Sequence, residues 1–513
     1  MSKASLIVGN SNWAIKDSSL LGYNINDSNI YSPFPFDVTR ASAATTVNKA
    51  GLIVTDAEIL SGELVANGNF SNGLTDWNIS TSALGYVSTS SQTLQYLVGH
   101  GDYAEVKQLN NSVIGKKYKG SFKVISKGTN ANVLIQYGRS SIYSGSINDL
   151  SIGTHTFTVD SVNTDGFSIS VRTNGIIEID DVSVVEINQN NLARIDYLDS
   201  TKGVLLTEPQ STNLITYSES FSSLNIRNNA VVTSNAIISP SGLLDADEIT
   251  FDGTTDGRVE ASIAVTIGQP YTISLYLKNK DLSDVTQVWI GFSAASQGQF
   301  VTITNEWQRY DITTNADGTT EYPRIQFSGA GSLYAWGFQT EQQPYATSII
   351  PTNGSTVTRN QDLVINGGEL STFNSEEGVL YCETLADVHS GQITLSNGSN
   401  TDNLQISFNL SSGRVDFNMK VGNAYQFIFN YVTDMTINNK IAIKYKANDF
   451  ALWVNGTEVL TDTSGITPAV NTFTELNFSS SNQASNFFYG KTKQLQVFKK
   501  ALTDSELQIL TTI

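Results

Sequence analysis

Apolar and polar positions alternate with a period of two along most of the chain, which is the signature of strands that bury one face. Val259, Ala261, Ile263, Val265 and Ile267 fall on one side of an extended run, with Glu260, Ser262 and Thr266 on the other. Tyr271 to Leu277 repeats the alternation, and Gly268-Gln269-Pro270 between the two runs predicts a hairpin. Upstream, Gly120 to Ile125, Asn132 to Tyr137, Thr154 to Val159, Phe167 to Val171 and Ile176 to Ile187 read as strands separated by Gly, Asn and Ser turns. Downstream, Leu404 to Leu410, Phe427 to Val432, Ile441 to Tyr445 and Phe450 to Val459 do the same, the last with Asn455-Gly456 at a hairpin position. One helix is expected, at the C-terminus, where Thr503-Asp504-Ser505-Glu506 forms a capping box ahead of Leu507 to Leu510.

The pattern predicts an all-β, multidomain protein with three β-sandwich or jelly-roll domains. At 513 residues the chain is too long for one core. Residues 1–59, with Pro33 and Pro35 in an extended element, read as a β-rich arm that lacks a full core of its own. Arg194 to Phe221 reads as strand and elbow, because Pro209 removes a backbone donor and biases Glu208 away from helix.

Charge narrows the function. The net charge is −18 with only 15% charged residues, and no Lys/Arg cluster marks a nucleic-acid groove or an anionic-lipid surface. No run of 18 apolar residues occurs, so neither nucleic acid nor membrane insertion is expected. The single cysteine, Cys382, lies in an apolar strand and excludes an internal disulfide framework. The opening residues hold too short an apolar core for a signal peptide, so action outside a cell would call for another route of release, such as lysis.

Thr39 to Ile53 (TRASAATTVNKAGLI) and Ala193 to Phe221 (ARIDYLDSTKGVLLTEPQSTNLITYSESF) resemble two halves of a module of tailed-phage virion proteins, and Leu333 to Asp362 resembles its exit. In that family the halves are nearly contiguous, so the resemblance implies an insertion. It gives an N-terminal virion-docking module at 1–59 continued by 189–212, an inserted jelly roll at 60–188, a second jelly roll at 213–358 and a final sandwich at 359–513. Ala193 stands where the family usually has proline. The insert is similar to family 4/9 carbohydrate-binding modules at Asn67 to Asn78 and Ile179 to Val184. That likeness implies a structural calcium ion, with Asp180 or Asp181 as ligand and Ser71 in place of a second acidic one. No other cofactor is implied. Trp453 to Val459 and Tyr489 to Leu510 resemble concanavalin-like and laminin G-like sandwiches.

The resemblances imply a fibre or decoration of the phage head or tail, made in the bacterial cytoplasm and resident in the virion. Its expected partners are other virion proteins, met by the partial N-terminal sheet, and a host cell-surface glycan, and a homo-oligomer is expected. Glycan binding calls for exposed rings that stack on a pyranose. Tyr86, Tyr96, Tyr137 and Tyr143 in the insert and Trp453 in the last domain are the candidates, whereas Trp77, Trp307 and Trp336 read as core. No catalytic residue is nominated and the chain reads as a non-enzyme. His100, His155 and His389 are scattered, no nucleophile motif occurs, and Asp180 and Asp181 are expected on opposite faces of one strand. The alternatives are a polysaccharide-degrading depolymerase, which needs only two suitably spaced acids, and a purely structural capsid decoration.

Overall fold

The computed structural model describes residues 3–9, 13, 15–16, 19–25, 31–81, 85–90, 93–98, 103–109, 111–128, 132–172, 175–281, 285–386, 391–409 and 412–513. The chain divides into two compact units, Met1–Asp56 with Asn190–Ile513, and Ala57–Gln189. Both are β-sandwich structures.

In Ala57–Gln189 one sheet runs in the order Gly153–Asp160, Lys117–Lys127, Gly175–Asn188, Thr93–Val98 and Gly85–Ser90. The other runs Ser140–Ser146, Asn132–Tyr137, Phe167–Arg172, Tyr103–Lys107 and Asn78–Thr81. Phe122, Val133, Ile135, Ile169, Ile177 and Ile179 fill the space between them. The Asn67-Gly68-Asn69-Phe70 turn is locked to this core. A Cβ on Gly68 would stand 1.9 Å from the Val182 carbonyl oxygen, so only glycine fits. Trp77 stacks on Phe70 at 5.1 Å and donates from Nε1 to the Asn67 carbonyl at 3.1 Å, which makes it the core residue its position suggests.

The larger unit holds two sandwiches. In the middle one, the sheet Asn225–Arg227, Gly257–Glu260, Arg324–Phe327, Gln287–Gly291, Gly298–Thr302 faces the sheet Val231–Ile238, Leu244–Asp252, Ala330–Glu341, Pro270–Asn279, Gln308–Asn315. Here the structure corrects the expected hairpin. The run after Val259 breaks into Gly257–Glu260 and Ile263–Ala264, and Pro270–Asn279 pairs with Gln308–Asn315 and Ala330–Glu341 instead. The turn at Gly268, with φ +77°, therefore carries the chain from one sheet to the other. Alternation gave the buried side at Val259, Ala261 and Ile263 but not at Ile267, which is 57% exposed, and it did not give the pairing.

The last sandwich is built on a long sheet with Gly490–Phe498 at its centre, flanked by Glu377–Ala386 on one side. Its other neighbours come from far away in sequence. Leu6–Gly9 pairs along it, with Leu6 opposite Val497, and Val204–Thr207 pairs with it through Leu205 and Thr492. Ser19–Ile25 and Tyr31–Thr39 extend the sheet beyond Leu6–Gly9. Leu6, Val8, Leu20 and Phe36 join Leu380, Leu395, Phe417 and Leu495 in one core. Residues 1–59, expected to lack a full core, thus share the core of the last sandwich. The edge of Leu6–Gly9 is completed within the chain, because an apolar face and a row of unpaired amides must both be covered, and Gly490–Phe498 covers both. The C-terminal helix Asp504–Thr511 carries the predicted capping box, and Asn455 and Gly456 both take the positive φ of a two-residue hairpin turn. Cys382 is wholly buried in the core, and burial pushes its thiol up to about 12.

Candidate functional site

The motif residues converge on one buried ionic cluster. Arg40, from the first motif, donates to Asp362 at 2.7 Å. Arg194 pairs with Asp362 and, at 2.6 Å, with Glu208, which also pairs with Arg359. The Ser348 amide and hydroxyl donate to Glu208 at 2.8 and 2.7 Å, and the Glu208 amide donates to Asp362 at 2.9 Å. Burial opposes ionisation of Glu208, but Arg359, Arg194 and Ser348 outweigh it and hold the carboxyl far below the usual range. Asp362 is depressed likewise, against burial, by Arg194, Arg40 and Arg359. These residues come from four separated stretches, so the cluster acts as a clasp. With every charged side chain in it 6% exposed or less, it offers no surface on which a polymer could lie.

The ring candidates distribute differently. Tyr137 is 0% exposed, with its hydroxyl donating to the Asn111 carbonyl at 2.6 Å, and its ring is closed to a sugar. Trp453 is 6% exposed because the face it shares with Ala451 is covered by the C-terminal helix, through Leu507, and by Phe498. The sandwich thus has a second buried layer on that side. Tyr143 is half-buried against the insert core, and its hydroxyl donates to the Ser146 carbonyl. Tyr86 and Tyr96 lie in the paired strands Gly85–Ser90 and Thr93–Val98, but their side chains lie outside the described residues.

Asp180 and Asp181 sit at a bulge on Gly175–Asn188, where Asp181 takes φ +50°. The extra residue resets the alternation, so Ile177 and Ile179 and then Val182 and Val184 all point inward, and the two acids are not on strictly opposite faces. Asp181 is exposed with Lys123 Nζ at 4.0 Å. Burial and the adjacent Asp181 raise Asp180, partly offset by the Asp181 amide. No group of three His, Cys, Asp or Glu side chains suited to a metal forms among the described residues. His155 stacks on Phe122 at 5.1 Å and contacts the Ser151 carbonyl, while His100 and His389 lie outside the described residues.

Sequence reading missed the outer face of the middle sandwich. Val259, Ile325, Val288, Ile290 and Val301 point into the core, so the residues between them point out. Register aligns them in two rows across the five strands. One row reads Arg227, Arg258, Gln326, Trp289, Phe300, and the next reads Asn225, Glu260, Arg324, Gly291, Gly298. Trp289 meets Phe300 edge to face at 5.4 Å, and Phe300 is 62% exposed. A Cβ on Gly298 would come within 2.6 Å of Trp289 Cζ2. The indole therefore lies over the bare backbone of Gly298, half-buried at the surface of the sheet. Arg324 and Gln326 flank it on the neighbouring strand.

Electrostatically this face is under-paired. Glu260 is shared by Arg227 at 3.3 Å and Arg258 at 3.1 Å. Arg324 donates to the Ser293 carbonyl at 2.9 Å, and among the described residues no carboxylate forms an ion pair with it. Burial and Arg258 lower its pKa, opposed by Glu260 and Asp256. Among the described residues, Trp289 Nε1, Arg324 Nε and Gln326 Oε1 are covered without a hydrogen-bond partner. By contrast, a groove of about 450 Å³ lined by Gln210, Thr212, Thr266 and Gln343 on the same sandwich offers hydrogen bonds, but its one lining ring, Tyr271, is buried.

Residues 382–508 match the model of the concanavalin A-like lectin/glucanases superfamily. Among curated proteins none matches the sequence. Among solved structures, the chain is similar to the CBM40 module of the Ruminococcus gnavus IT-sialidase bound to alpha2,3 sialyllactose, at 16% identity and TM-score 0.25, covering 29% of this chain and 93% of that one. Domain 4 of AbnA, an extracellular GH43 arabinanase of Geobacillus stearothermophilus in complex with arabinotriose, matches at 11% identity and TM-score 0.25, covering 30% and 73%. The N-terminal CBM22-1-CBM22-2 tandem of Paenibacillus barcinonensis Xyn10C matches at 10% identity and TM-score 0.20, covering 56% and 100%.

Proposed function

We propose that this chain is a non-enzymatic glycan-binding protein of a phage particle, a fibre or decoration of the head or tail that holds the host surface through its sandwiches. The observation that carries the glycan half is the Trp289 platform. A flat aromatic face is what the apolar side of a pyranose stacks on, and Arg324, Gln326 and Arg258 frame it with hydrogen-bonding groups. The virion half rests on the phage-like motifs at Thr39 to Ile53, Ala193 to Phe221 and Leu333 to Asp362, of which Arg40, Arg194, Glu208, Arg359 and Asp362 form the clasp. Attachment to other virion proteins through the N-terminal region belongs to this reading. Oligomerisation would multiply weak sugar sites into avidity.

The test is a glycan array and a host-polysaccharide pull-down with wild type and Trp289→Ala, together with imaging of labelled chain on purified particles. Retention by wild type and its loss in Trp289→Ala is the expected result. If nothing is retained while the chain stays on the particle, a structural decoration is the better reading. The enzyme alternative draws on Glu219, whose carboxyl burial and Asp245 push up to about 7. New reducing ends released from host polysaccharide by wild type but not by Glu219→Gln would establish it.

A further inference from the structure

We infer that the Trp289 face selects an acidic glycan: a pyranose ring on the indole, with a carboxylate held by Arg324. The inference rests on the glycan-binding reading of the same face. It follows from counting charges in place. Arg227, Arg258 and Arg324 share a face on which Glu260 is the one carboxylate in ion-pair contact among the described residues. Glu260 is buried and engaged by the first two, so Arg324 is the guanidinium left without an anion, and Arg258 repels it. A fork of planar N–H donors without a carboxylate is matched in shape by a carboxylate.

Position supports the same conclusion. Arg324 lies directly across from Gly291, and Gly291 from Gly298, so the strand positions beside the guanidinium carry no side chain above the sheet. Trp289, two positions before Gly291 on the same strand, reaches over Gly298 on the next, beside the position that Arg324 faces. A sugar whose ring lies on the indole brings its substituents along the neighbouring strand to Gln326, directly opposite Trp289, and to Arg324, two residues before it. The bound carboxylate would give the face three arginines against two carboxylates, the same ratio as the buried clasp. Elsewhere the chain, at net charge −18, repels anions, so this local excess of positive charge also sets where an acidic polymer lands.

The experiment is an array of neutral, sialylated, uronate-containing and sulfated glycans probed with the full chain. Wild type is compared with Arg324→Gln, Arg324→Lys and Trp289→Ala, each checked for an unchanged melting curve. Carboxylate-bearing glycans should dominate the retained set, and their affinity should fall about tenfold in Arg324→Gln, less in Arg324→Lys, and in wild type with added salt. Trp289→Ala should remove binding altogether. If neutral glycans are retained equally and Arg324→Gln changes nothing, acid selection is wrong while the glycan site stands. Retention of sulfated glycans alone overturns the carboxylate assignment. If no glycan is retained, or Trp289→Ala binds as wild type, both this inference and the reading beneath it fail.

Discussion

Arginines gather in two places in this protein, and the two gatherings differ by one carboxylate and a layer of cover. In the clasp, Arg40, Arg194 and Arg359 meet Asp362 and Glu208 with no exposed side chain among them. On the middle sandwich, Arg227 and Arg258 meet a buried Glu260 at the edge of solvent, and Arg324 beside them has no carboxylate in ion-pair contact among the described residues. Residue types are the same and the consequences are opposite. Burial makes every pairing in the clasp obligatory, since an uncompensated charge there is costly, and so the clasp holds segments together. Exposure lets the second group remain one anion short, and an unmet charge beside a flat ring is a means of recognition.

Removing a guanidinium separates the two cases most sharply. Arg194→Ala leaves Glu208 and Asp362 buried with fewer partners and should destabilise the larger unit by about 3–5 kcal/mol in urea unfolding. A loss under about 1 kcal/mol would mean that the clasp is solvated and the contrast false. Next in size is Gly298→Ala, whose Cβ would meet the Ile290 carbonyl oxygen at 2.4 Å as well as the indole. It should cost about 1–3 kcal/mol and lift Trp289 off the strand. Glycan affinity should fall with it. Unchanged affinity would show that the flat seating of the ring is irrelevant to binding.

The clasp also has a pH signature with two signs. Glu208 and Asp362 have depressed folded pKa values, so their stabilisation is present above the ordinary carboxylate range and is lost only when pH falls through the lower folded values. Asp56 beside it behaves oppositely. Burial raises it from 3.8 to about 6, against the pull of Thr46, Arg194 and Arg40. Between those values the folded state holds the proton and the unfolded state does not, so stability falls as pH rises through the window. Wild type should lose about 1 kcal/mol between pH 5 and pH 7.5 that Asp56→Asn does not lose, read as the difference in urea midpoints. A parallel pH profile for the two proteins would remove Asp56 from the account.

How much of this was legible in the sequence depended on range. Strand positions and buried faces were, because alternation is local, and so were the Thr503 capping box and the Asn455-Gly456 turn. Pairing was not: Leu6 meets Val497, and nothing near either residue says so. The site shows the limit most clearly. Trp453 and Trp289 give the same local signal, a tryptophan on the face opposite an apolar alternation. One is sealed by the C-terminal helix and the other is half-buried on an outer face beside the exposed Phe300. The Gly291 and Gly298 pair was a usable signal, since two glycines in adjacent strands mark a close approach. Its meaning appears only once register puts them beside Trp289. The charged motif residues were visible as motifs, but their convergence required four segments to be folded together.

The smallest expected effect is the strictest test of the comparison. Arg227 is exposed and shares Glu260 with Arg258, so Arg227→Ala leaves the buried carboxylate with a partner. Stability should change by less than about 0.5–1 kcal/mol, the range of exposed pairs. Binding of an acidic glycan should weaken about two- to threefold, through slower association at low salt, because Arg227 adds to the field without reaching the platform. The effect should vanish at high salt, where screening removes the field. If Arg227→Ala instead unfolds the protein as Arg194→Ala does, Glu260 and its arginines form a second clasp. The open charge on that face would then be structural, and Arg324 would have no vacancy to offer a ligand.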